Sequence, residues 1–115
     1  MGLLVDLFHL YTSHLDVSAV RNLTNNQVVV VHVNDAIPGR GPDEQLDMER
    51  ALPGETGVMD IAAFLQALDG IGYDGPVTTE PFSARLRAMS GDAAAGETAA
   101  AMRSCWQAAG LAWPE

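Results

Sequence analysis

Apolar residues fall into short blocks along this chain, with long polar stretches between them. The densest block is Gln27 to Asp35, QVVVVHVND, where five of the first seven residues are valine. A continuous β-branched run of this length reads as a strand buried on both faces, as in parallel sheets covered by helices. Gly2 to Val5 is a second such run, ending at Asp6. Pro76 to Thr79 is a third, ending at Glu80 and Pro81, where a proline removes no interior ladder bond. Helical spacing is clearest from Ile61 to Asp69, with Ile61, Phe64, Leu65 and Leu68 at i, i+3, i+4 and i+7. Asp60 suits the N-cap of that helix and Gly70 its C′ position.

The weaker segments complete an alternating order. Leu7 to Leu15 reads as a loop carrying His9, Tyr11, Thr12, Ser13 and His14. Asp16 caps a short helix over Val17 to Leu23. Asp35 to Gly57 is a long loop rich in Gly and Pro, of the kind that is usually functional or mobile. Phe82 to Gly96 gives little signal. Glu97 to Ala109 is a helix with Met102, Cys105, Trp106 and Ala109 on its apolar stripe, stopped by Gly110. Strands that alternate with helices imply an α/β fold with a parallel sheet and right-handed crossovers.

Composition narrows the function classes. The chain has 115 residues, 15 acidic against 6 basic, and a formal net charge of −9. That balance speaks against nucleic-acid and anionic-membrane partners, which need a basic footprint. It fits a cytoplasmic protein. The apolar start MGLLVDLFHLY lacks a basic leader and is broken by Asp6 and His9, so no signal peptide is expected. No apolar run is long enough for a membrane span. Cys105 is the single cysteine and cannot form an internal disulfide. No glycine-rich phosphate loop, cysteine cluster or nucleophile elbow is present.

The candidate chemistry sits where the strands stop. Asp6, His32 and Glu80 fall at the carboxyl ends of three successive parallel strands, the edge that carries chemistry in sheets and barrels of this class. Neighbouring strands lie about 5 Å apart, so two carboxylates and an imidazole can converge. Such a set suits a divalent cation such as Mn²⁺, Mg²⁺, Co²⁺ or Zn²⁺, with Asn34 or Asp35 orienting neighbours. Singly, each has an ordinary reading: Asp6 as a helix cap, His32 as a hydrogen-bonded core histidine, Glu80 as a solvated turn residue. Their shared placement favours the site.

The blocks VDLFHLY, VVHVNDA, LPGETGVMDIAAFLQAL and GYDGPVTTEPF, in this order, closely resemble the C-terminal part of the sugar phosphate isomerases/epimerases with the xylose isomerase-like TIM barrel. That family includes ketose 3-epimerases, hydroxypyruvate isomerases and inosose dehydratases. The resemblance spans residues 2 to 85, and the last helix matches the closing helix of the barrel. It implies the last three βα units of a (β/α)8 barrel, so that residues 1–115 form a single partial-barrel domain. It further implies a metal bound by Asp6, His32 and Glu80, with Glu80 also moving a proton. His9 and Arg50 would contact the substrate, and Glu55 would lie in the loop covering it. The chemistry implied is proton abstraction next to a carbonyl of a sugar, polyol or small hydroxy-ketone. The family's fourth metal ligand, a Glu on the preceding strand, has no counterpart in this sequence. A truncated frame or gene remnant is therefore expected, with activity impaired. The alternative is a non-catalytic α/β fragment that acts by associating with itself or with a separate N-terminal half, because three strands leave two open sheet edges.

Overall fold

The structure, a computed structural model, describes residues 2–46, 49–79 and 83–113. Three parallel strands lie in the order β1 (Leu3–Asp6), β2 (Val28–His32) and β3 (Val77–Thr78). This is the α/β arrangement expected from the sequence, a partial barrel sheet with β2 at its centre. Glu80 and Pro81, expected at the end of the third strand, lie outside the described residues. Asp6 pairs in register with His32, and His32 with Thr78.

The valine run is not buried on both faces as its composition suggests. Val31 and Val33 are fully buried, whereas Val29 is 59% exposed. Val28 and Val31 are nevertheless both buried, because the register slips by one residue: Leu3 pairs with Val28 but Leu4 pairs with Val30. Val29 is the extra residue, so the inside–outside alternation changes phase there. Leu3 and Leu4, at the start of the edge strand β1, are also exposed, whereas Val5 and Asp6 further along it are buried.

The segment after β1 is helical rather than a loop. α1 (Leu7–Thr12) starts where the Asp6 side chain accepts the backbone N–H groups of Phe8 (2.8 Å) and His9 (3.4 Å). A carboxylate at this position satisfies donors that the first turn leaves unpaired. Leu7 and Phe8 then enter the core, and Ser13 ends the helix. Val17–Asn22 forms, after its Asp16 cap, a 3-10 rather than an α-helical turn.

α2 (Ile61–Gly70) has the expected Asp60 cap, with Ala63 N donating to Asp60 Oδ1 at 3.0 Å. Its stop lies two residues later than expected. Gly70 is still helical, and Gly72 takes the left-handed φ of 77°. Gly72 N donates to Asp69 O and Tyr73 N to Leu68 O, which closes the last carbonyls. α3 (Ala84–Arg87) and the first turns of α4 (Gly91–Ala108) arise from the Ala- and Gly-rich stretch that carries little periodic signal. Phe64, Leu65 and Leu68 of α2 and Cys105 and Ala109 join Val5, Val31 and Val33 in one core on the helix-covered face of the sheet. Among the described residues, no helix is long and apolar enough to cross a membrane.

Candidate metal and substrate site

Strand alternation puts Asp6, His32 and Thr78 on the face opposite that core, side by side at the carboxyl edge. The Asp6 carboxylate is divided between two tasks. Oδ1 caps α1, while Oδ2 faces His32 Nδ1 at 3.6 Å and Arg50 Nη1 at 3.3 Å. Both side chains of the Asp6–His32 pair are largely shielded, at 4% and 14% exposure. His9 projects from α1, half exposed, with Nε2 at 3.9 Å from Asp6 Oδ2 and 3.5 Å from Arg50 Nη2.

Arg50 comes from the long loop yet is almost fully buried. Its guanidinium lies over the Phe8 ring, 4.5 Å from the centroid, and so joins a cation–π contact to its ion pair with Asp6. It also lines an opening of about 470 Å³ shared with Ile37, Glu49, Thr56, Ser83 and Arg87. His9, Arg50, Asp6 and His32 are thus brought together as a group. Glu80, the third expected ligand, is outside the described residues. Among those described, no set of three His, Cys, Asp or Glu side chains is placed to hold a metal ion.

The donor pair can be tested for fit. A separation of 3.6 Å between Oδ2 and Nδ1 is longer than a good hydrogen bond. Two ligands bound at about 2.1 Å in a tetrahedral shell stand roughly 3.4 Å apart. Asp6 and His32 therefore have the spacing of neighbours in one coordination shell, and a carboxylate with an imidazole suits a divalent ion of borderline softness.

Other expected site neighbours serve elsewhere. Glu55 turns back to accept Leu52 N at 3.2 Å and pairs with Arg85, which also reaches Glu97 at 2.6 Å. This ties the PGE turn to the C-terminal helices. His14, at a positive φ of 61°, meets Asp43 at 2.7 Å on the surface. Asn34 Oδ1 accepts the Thr79 hydroxyl at 2.8 Å. Cys105 sits under Gly54 in the core, where burial, and secondarily the Asp35 charge, push its thiol up to about 11. It is packing, not a nucleophile.

Sequence reasoning missed that Asp6 has two roles at once. The signal was present, because an acidic residue directly before LFHLYT is an N-cap position. It also missed the contact of Arg50 with Asp6, which joins residues 44 apart and leaves no local mark.

The family of xylose isomerase-like TIM barrels matches residues 1–105. The chain belongs to that family. A 3-dehydroshikimate dehydratase from Pseudomonas putida is 34% identical over 89 residues, covering 76% of this chain and 14% of the dehydratase. A xylose isomerase domain protein from Alicyclobacillus acidocaldarius superposes with a TM-score of 0.81 at 31% identity, over 95% of this chain and 38% of that one. The IolI protein, whose structure holds a zinc atom, superposes at 0.75 with 22% identity, over 94% of this chain and 37% of its own. The chain thus spans well under half the length of each of these family relatives.

Proposed function

We propose that this xylose isomerase-like chain carries the metal-holding strand ends of an enzyme acting on a small sugar, polyol or hydroxy-ketone, by proton transfer next to a carbonyl. Isomerisation, epimerisation and dehydration of such compounds share that first step. The similarity to a dehydratase fits the last of these as well as it fits the first two. The observation that carries the proposal is the 3.6 Å separation of Asp6 Oδ2 and His32 Nδ1, neighbours in register at the edge of a parallel sheet.

In this reading Asp6, His32 and Glu80 hold Mn²⁺, Mg²⁺, Co²⁺ or Zn²⁺, and Glu80 also moves the proton. A divalent ion there supplies positive charge beside the substrate oxygens, which stabilises the negative charge left when the proton departs. His9, half exposed at the rim, and Arg50, lining the opening, are the substrate contacts. The acidic composition supports a cytoplasmic setting.

Zinc, the ion in the IolI structure, is the one to try first. Residues 1–115 are expected to take up one Zn²⁺, and His32→Ala to weaken it at least tenfold while leaving the Asp6–Arg50 pair and the α1 cap in place. Equal uptake by both proteins, measured by competition with a chromophoric chelator, would refute the assignment. The open edge of β1, with Leu3, Leu4 and Val29 exposed, favours a second reading in which the chain functions only in association with another copy or with a separate half-barrel.

A further inference from the structure

Asp35 is fully buried, and its carboxylate is held by the main chain. Three backbone N–H groups donate to it. Oδ1 accepts from Ala36 N at 2.9 Å and from Met59 N at 3.1 Å; Oδ2 accepts from Gly57 N at 3.0 Å. Its own backbone is bridged to Ala51 in both directions, each bond 3.0 Å. The Thr56 hydroxyl donates to Ala36 O at 2.6 Å across the same loop base. One carboxylate therefore gathers both ends of the long loop at the end of the valine strand, three residues past His32. Ala51, the residue it bridges, directly follows Arg50.

We propose that Asp35 is the positioning residue for Arg50: it shuts the loop so that the Arg50 guanidinium lies on Oδ2 of Asp6, the oxygen that does not cap α1. The inference rests on the metal reading above for one of its consequences. Arg50 is a cation 3.3 Å from Asp6 Oδ2, the same oxygen that would bind a divalent ion. Held there, it opposes metal uptake and keeps a donor fork at the site. Released, it leaves Asp6 open to the ion. General damage to the fold would do the reverse and weaken binding.

Asp35→Asn is the sharp variant. The amide has one acceptor and one NH₂, so at least one of the three N–H groups meets a donor. Two measurements follow. The first needs no metal. Arg50 lies over Phe8, so its Nε–H resonance is shifted by the ring, and in Asp35→Asn it returns to the position of a solvated arginine. The second is Zn²⁺ affinity. It rises roughly five- to tenfold, as like-charge repulsion is relieved, it rises equally in Arg50→Gln, and the two changes do not add in the double variant. Thr56→Val removes only the hydroxyl at the loop base and moves both readouts the same way by less. An unshifted Arg50 resonance in Asp35→Asn, or weakened Zn²⁺ binding with Arg50 still in place, overturns the proposal. If Asp35→Asn does not fold, wild-type behaviour of Thr56→Val overturns it. If the wild-type protein binds no Zn²⁺, the metal reading fails by itself and the Arg50 resonance alone decides the role of Asp35.

Discussion

At the scale of single residues, the environment decides what each titratable group can do. Cys105 shows the sign. Burial holds its thiol protonated in the folded chain up to about 11, while an unfolded chain loses that proton near the ordinary thiol value of 9.0. Between those values the unfolded state binds fewer protons, so stability is full below pH 9 and falls as pH rises towards 11. The loss is on the order of 3 kcal/mol from this residue. Urea midpoints across that range should therefore fall in the wild type and fall less in Cys105→Ala. Asp6 and His32 were placed together from the strand ends, and His9 and Arg50 from the resemblance; in the structure the four side chains are neighbours. Their contacts were less legible. That Asp6 would cap a helix with one oxygen and meet Arg50 with the other depends on a loop path no periodicity records. Asp35 was read only as a possible orienting neighbour, because three backbone N–H groups brought from 1, 22 and 24 residues away leave no trace in spacing.

At the scale of elements, legibility follows the strength of local signals. α2 was clear because its apolar spacing, its Asp60 cap and its following glycines agree. The cap carries weight of its own: Asp60→Ala should cost about 1 kcal/mol, read as a lower urea midpoint with unchanged slope. α1 was missed because its six residues are too few to show a period, and the polar letters His, Tyr and Thr suggested a loop. The early turns of α4 were missed because alanine and glycine mark no face. Met102, Cys105 and Ala109 mark one only near its end.

At the scale of the whole molecule, the sheet has two edges and the chain covers neither with a fourth strand among the described residues. β1 presents the longer edge, and beside it Leu3, Leu4, Leu10, Leu15 and Leu23 line an apolar groove of about 420 Å³. Such edges invite pairing. Size-exclusion chromatography with light scattering should find the chain larger than a monomer, and Leu4→Lys with Val29→Lys should return it to one. The parallel α/β class was legible, since three short apolar runs alternate with helices, and the partial barrel came from the family resemblance; the slip at Val29 was not legible, because valine fits either face. That slip has a wider bearing. The lower part of β2 places Val28 in the core, and the upper part places Val31 and Val33 there while presenting His32 to Asp6. The two parts count from different origins, and Val29 is the unit between them. With one valine fewer, a regular strand could keep its base packed or its imidazole opposite the carboxylate, but not both. The length of a run of identical residues is thus itself a determinant of the chemistry, which a comparison scored by residue type alone would overlook.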